Sequence, residues 1–147
     1  MFEIRPREKM VERALLVGAY VDPADRTDAQ DLLDELGELV CTLGIPVVDR
    51  TLVHMREPQA RYLIGSGKAE EIALLLKEHN CDVIVFDNEL TPAQQRNWEE
   101  LTKITVIDRA EVILDIFGMR AQTREARLQV DLARMEYSLP RLTRAWG

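Results

Sequence analysis

Three short groups of residues have the types and spacing to do chemistry. The first is Gly65-Ser66-Gly67-Lys68. Glycines let a backbone approach a phosphate closely, unpaired amides at a helix start attract anions, and Lys68 adds a point charge. The segment is not a P-loop. The first Gly of G-x-x-x-x-G-K-[ST] is missing, and Ala69 stands where a hydroxyl would meet Mg²⁺. A Gly-rich turn that only starts a helix accounts for the same residues. The second group is Asp87-Asn88-Glu89, at the end of the apolar run CDVIVFD over 81–87. In parallel α/β sheets ligands bind at that edge, and Asp22 and the 54–66 segment would share it. A carboxylate of Asp87 or Glu89 there can hold a ribose hydroxyl or a metal-bound water. Solvated carboxylates in a turn are the plainer alternative. The third group is Arg120, Arg124 and Arg127, which fall at i, i+4, i+7. On one continuous helix they form a stripe that suits phosphates, or the solvent face of a coiled-coil helix.

Other reactive residue types point nowhere in particular. His54 and His79 are the only histidines and lie far apart, so no metal site is expected. Cys41 and Cys81 form no C-x-x-C pair and read as small buried residues in a reduced compartment. Asp22, Asp25, Asp28, Asp31 and Asp34 recur every third residue and read as a solvated acidic face. Asp108 reads as a helix cap.

These groups need elements to hold them. ALLVGA (14–19) is a buried strand, and Thr27-x-x-Gln30 is a capping-box signature before a helix that Gly44 ends. IPVVDRTLV (45–53) is a second strand, and the 54–66 segment is irregular. Helical spacing returns at Ile72, Leu75, Leu76 and His79, and Asn80 closes it. A third strand comes next, then a capping box at Thr91-Pro92-Ala93-Gln94 with Pro at the first helical position. ITVI (104–107) is the fourth strand, and Asp108-x-x-Glu111 opens a long last helix, with Gly118 a point where it can break. Leu128, Leu132, Met135, Leu139 and Leu142 alternate by four and three, a heptad seam that needs a partner, with Pro140 expected to kink or end the helix. The order β-α-β-α-β-α-β-α predicts a small, mainly parallel four-stranded sheet with helices on both faces, followed by a long C-terminal helix.

Composition sets the outer bounds. A chain of 147 residues is one domain, or one domain with an appendage. Hydrophobic residues at 46% and charged residues at 31% exclude disordered, collagen-like and low-complexity classes. No secretory signal or membrane-spanning run is present. The net charge of −7 hides a division: residues 119–147 carry six arginines against three acids, which leaves −10 for residues 1–118.

RALLVG (13–18), YLIGSGKAEEI (62–72), VIVFDNELTPAQQRN (83–97), VIDRAEVILDIFGMRAQTREARLQVDLARMEY (106–137) and LPRLTRAW (139–146) stand out together. These five stretches resemble the N-terminal region of the HflX family of translational GTPases. The resemblance covers nearly the whole chain from Arg13 onward. It implies a cytoplasmic protein that binds ribosomal RNA of the large subunit and helps split or rescue stalled ribosomes. It implies an α/β domain followed by one arm of an antiparallel helical hairpin, then a G domain that uses GTP and Mg²⁺. In some members the N-terminal domain also binds or hydrolyses ATP. The GTPase residues carry over to no position here: N-K-x-D is absent, and the D-x-x-G at Asp34 to Gly37 lies inside an amphipathic helix. Gly118 stands where the family usually has Ala.

The expected organisation is an extension over 1–12, an HflX-type α/β domain over 13–107 and a helical arm over 108–147. Gly65, Ser66, Gly67, Lys68, Asp87 and Glu89 are the candidate phosphate or nucleotide residues, with ATP as the ligand. Arg120, Arg124 and Arg127 are the candidate RNA contacts. The 128–142 seam, without its partner helix, is expected to pair two copies of this chain or to leave a disordered or refolded tail. A stand-alone phosphate-binding domain with weak or no hydrolase activity is the competing reading.

Overall fold

A computed structural model describes residues 13–142. The extension at 1–12, Arg144 and the side chain of Leu142 lie outside the described residues. Strand β1 (Ala14–Tyr20) is buried along its whole length. It pairs in parallel with β2 (Val47–His54) on one side and β3 (Val83–Phe86) on the other, and β3 pairs with β4 (Thr105–Asp108). The sheet order is β2-β1-β3-β4. A central parallel strand is covered on both faces, so it reads as an unbroken apolar run.

Alternate residues of the strands feed two separate cores. Leu15, Val17, Ile84 and Phe86 face α2 (Ser66–Glu78) and α3 (Pro92–Thr102), with Ile72, Leu76 and Trp98. Leu16, Val83, Val85 and Ile107 face α1 (Arg26–Thr42) and α4 (Arg109–Arg120), with Leu33, Leu36, Val40, Val112 and Ile116. Helices therefore cover both faces, as the alternation of elements requires.

Local signals mostly work where they are expected. Gly44 takes φ +82° after α1, and Asn80 takes φ 54° after α2. The Thr91–Gln94 capping box is complete, with Thr91 N donating to Gln94 Oε1 at 2.9 Å and Gln94 N to Thr91 Oγ1 at 3.0 Å. The Thr27–Gln30 box does not form. Asp22 instead accepts from Ala24 N at 2.9 Å and starts a single 3₁₀ turn, Pro23–Asp25, so α1 begins one residue before Thr27. Cys81 is buried, but Cys41 is exposed on α1, because the apolar stripe of that helix runs through Leu36 and Val40 instead.

The long C-terminal helix is α5 (Arg124–Leu142), and it does not run on from Asp108. The break falls at Ala121–Thr123, not at Gly118, which sits inside α4. Ala121 is extended, and Thr123 Oγ1 accepts from Ala126 N at 3.0 Å, capping the new helix. Pro140 neither ends nor splits α5, which continues to Leu142. Helices α4 and α5 pack side by side, with Arg134 reaching Asp115 at 3.3 Å.

Candidate functional site

The carboxyl edge of the sheet gathers most of the candidate residues. The chain leaves β2 through a loop folded on itself: Gln59 and Leu63 exchange backbone hydrogen bonds at 2.8 and 3.1 Å. Leu63 has φ 70°, unusual for a bulky residue, and its side chain is buried. Helix α3 grips this loop from one side. Gln94 Nε2 donates to Gln59 O (2.9 Å), Asn97 Nδ2 to Arg61 O (3.0 Å) and Trp98 Nε1 to Tyr62 O (3.0 Å). Spacing of i, i+3, i+4 puts all three on one helical face. By holding the loop, this clamp positions the start of α2 at Gly65-Ser66-Gly67-Lys68.

Those four residues are exposed. Gly65 is the N-cap with φ −64°, and a Cβ added at Gly65 or Gly67 would meet nothing within 4 Å. Neither backbone strain nor crowding requires glycine at either position. Lys68 lies 3.3 Å from Glu71, one turn on. Ala69 is buried, so its position offers no hydroxyl and the loop does not fit a P-loop Mg²⁺ site.

Asp87 and Glu89 take different roles. Asp87 Oδ1 accepts from Arg109 Nε at 2.7 Å, and Arg109 also bonds Glu35 Oε1 at 2.9 Å and Leu32 O at 2.7 Å. Partial burial of Arg109 disfavours its charge, but the hydrogen bonds to Asp87 and Glu35 outweigh it and raise its pKa. Asp87 is thus engaged in joining β3 to α4 and α1. Glu89 is exposed. Between them, Asn88 Oδ1 accepts from Ala19 N (2.9 Å) and Asn88 Nδ2 donates to Ala19 O (3.0 Å). Asp22 is taken by its turn. His54 stacks on Tyr20 with centroids 5.1 Å apart and meets Val21 O at 2.9 Å, while His79 lies 3.9 Å from Asp49. Among the described residues no three His, Cys, Asp or Glu side chains converge as metal ligands would.

The arginine group is split by the break between helices. Arg120 ends α4, and Arg124 and Arg127 begin α5, so the three do not form a stripe on one helical face. They cluster instead around the turn that joins the two helices. All three are exposed, and none forms an ion pair among the described residues. The seam is also exposed: Leu128, Leu132 and Leu139 stand 56%, 55% and 49% open, with Met135 beside them. No helix among the described residues is long and apolar enough to cross a membrane.

One polar cluster escaped the sequence reading. Asp108 caps α4 through Glu111 N (3.3 Å), as expected, but its carboxylate is only 1% exposed and has further partners. Tyr137 donates its hydroxyl to Oδ1 at 2.9 Å, and Leu90 N donates to Oδ2 at 3.2 Å. Arg141 Nη2 lies 3.8 Å from Oδ2 and donates to Leu90 O at 2.6 Å. Arg141 Nε donates to Gln95 Oε1 at 2.8 Å, and Gln95 Nε2 donates to Val106 O at 2.6 Å. The Arg141 guanidinium also lies over the Tyr137 ring, 3.9 Å from its centroid. Burial pushes the Tyr137 pKa well above the usual phenol range, and the nearby Asp108 carboxylate adds to the rise.

Comparison with known proteins places these features in context. Residues 30–118 match the family described as "GTP-binding GTPase N-terminal", and residues 120–147 match "GTP-binding GTPase Middle Region". A "GTPase HflX" from Akkermansia muciniphila is 54% identical over 147 residues, covering 100% of this chain and 34% of the relative. The "GTPase HflX" of Escherichia coli is 41% identical over 135 residues, covering 92% of this chain and 31% of the relative. The chain thus spans about a third of the length of these curated relatives. Among solved structures, a complex of SsGBP with GDP superposes with TM-score 0.66 at 22% identity, over 90% of this chain and 37% of that one. A GTP-binding protein from Sulfolobus solfataricus in complex with GDP gives TM-score 0.63 at 21% identity, over 91% of this chain and 39% of that one. At these identities the structural matches establish the fold alone.

Proposed function

This chain belongs to the HflX family of GTPases as its N-terminal domain, and we propose that its work is binding: the arm formed by α4 and α5 meets RNA of the large ribosomal subunit. GTP hydrolysis with Mg²⁺ falls, in this reading, to a G domain elsewhere in the parent protein. Ribosome splitting or rescue would be the outcome of the two acting together. The observation that carries the reading is the turn between α4 and α5. It gathers Arg120, Arg124 and Arg127, exposed and without carboxylate partners among the described residues, on a domain that is otherwise acidic. Phosphates are the natural partners for such a group.

The test uses the complete protein and large ribosomal subunits. Changing Arg120, Arg124 and Arg127 together to Ala should weaken binding by about tenfold at moderate salt. It should also lower the salt slope by about 2, since each lost phosphate contact removes roughly 0.7–0.9. An unchanged slope sinks the RNA contact.

A second reading rests on the start of α2. Gly65 and Gly67 occupy positions where the fold does not require glycine. Exposed amides there, with Lys68, suit the phosphates of ATP. With Asp87 held by Arg109, Glu89 is the remaining acid of the pair that can face a ligand. Titration with ATP and ADP decides: saturable binding that Lys68→Ala weakens supports it, and no binding at millimolar nucleotide removes it.

The exposed seam of α5 carries a proposal about assembly. Unless a further helix of the parent covers it, Leu128, Leu132, Met135 and Leu139 pair with the same residues of a second copy.

A further inference from the structure

Helix α5 is attached by its polar side. Tyr137 and Arg141 face the sheet edge and Arg134 faces α4, while Leu128, Leu132 and Leu139 point away. Between α4 and α5, an open groove of about 370 Å³ runs along Leu114, Phe117, Val130 and Ala133. The apolar contact is thus incomplete, and the Asp108 cluster supplies much of the hold.

That cluster holds both backbone polar groups of one residue at the sheet edge, Leu90. Leu90 N donates to Asp108, and Leu90 O accepts from Arg141. The neighbouring residues are tied to β1 and α4: Asp87 N donates to Val17 O at 2.8 Å, Asn88 bonds Ala19, and Asp87 pairs with Arg109. We propose that Asp108, Tyr137 and Arg141 form a releasable latch, so that docking of α5 and ordering of the Asp87–Thr91 loop are one coupled event.

The physical cause is the buried carboxylate. If α5 leaves, Asp108 loses the Tyr137 hydroxyl and the Arg141 charge together. An anion left with only the Glu111 and Leu90 amides must be hydrated. Water takes the place of α5 at the carboxylate, and Leu90 O loses the Arg141 bond at the same moment, which loosens the loop. The reverse holds too: a displaced loop takes Leu90 O from Arg141 and weakens the hold on α5. Coupling of this kind is reciprocal by thermodynamic necessity. Any partner that pulls on the outer face of α5 is then felt at the Asp87–Thr91 edge.

The experiment reads both ends in the full-length protein. Spin labels on exposed Cys41 of α1 and on an introduced Glu136→Cys of α5 report the position of the arm. Hydrogen exchange reports the amides of Glu89 and Leu90. Tyr137→Phe keeps the ring and removes the hydroxyl. It should broaden the distance distribution and speed Leu90 exchange at least tenfold, with the Val17 and Val85 amides unchanged. Asn88→Ala, at the other end, should broaden the same distance. A freed arm with unchanged Leu90 exchange overturns the proposal. So does a loosened loop with an unmoved arm, or no response to either variant. Should Tyr137→Phe also speed exchange at Val17 and Val85, the sheet has unfolded and Asn88→Ala alone decides.

Discussion

The α/β layer and helix α5 are held by opposite means. The layer buries apolar side chains on both faces of β1, and Asp108 at the end of β4 is the charged residue it buries. Helix α5 turns charges and a phenol inward and leaves leucines outside. Apolar burial is non-directional and tolerates small shifts. A hydrogen-bonded buried charge demands one geometry, and losing a partner is costly. The first arrangement makes a stable platform. The second makes an attachment that is specific in place and weak in total.

The largest effect should come from the platform. Trp98→Ala removes a fully buried ring, its contacts with Phe86 and Tyr62, and the bond to Tyr62 O. A loss of about 3–5 kcal/mol in urea unfolding is expected. A much smaller loss would mean that the platform is no tighter than the arm. Next comes alkaline pH. The raised Tyr137 pKa means that the folded chain keeps a proton which the unfolded chain releases above about pH 10. The contribution is complete below that pH and declines by up to about 1.4 kcal/mol per pH unit above it. Tyr137→Phe should abolish that part of the decline, measured as the difference between the two stability–pH curves. A parallel pair of curves would show that the Asp108 cluster is not dry.

Smaller effects sharpen the contrast. Gly67→Ala adds a methyl into open space within a helix, so stability should rise by up to about 1 kcal/mol in thermal unfolding. If phosphate binding falls at the same time, the glycine serves a ligand and not the fold. Leu128→Glu with Leu132→Glu should change monomer stability by less than about 0.5 kcal/mol, because both side chains are largely exposed. Sedimentation should nevertheless shift from dimer to monomer. A monomer before the change would argue that the seam does not join two copies.

Legibility in the sequence divides along the same line. The strands were legible because a covered parallel sheet writes itself as apolar runs, as in VIVF of β3. The Thr91–Gln94 box was legible because both partners sit three residues apart. The α3 clamp was not: Gln94, Asn97 and Trp98 lie on one helical face, but their acceptors are backbone carbonyls 35 or 36 residues away. The Asp108 cluster failed for a stronger reason. Tyr137 and Arg141 lie 29 and 46 residues from Asp108 and Gln95, and polar residues on an amphipathic helix ordinarily face water. The break at Ala121–Thr123 hides behind good helix formers, with Thr123 as the one available sign.

Asn88 has a consequence beyond tying two strands. Strand β1 continues past the last residue of β3 that pairs with it, and the Asn88 amide finishes the ladder by imitating one more peptide. In doubly wound sheets the gap between such strands, where the crossovers change sides, is the usual berth for a nucleotide. Here the Asn88 side chain lies between those strands and bonds both backbone groups of Ala19. The domain keeps the frame of a ligand-binding fold, and a ligand entering between these strands must compete with the Asn88–Ala19 bonds.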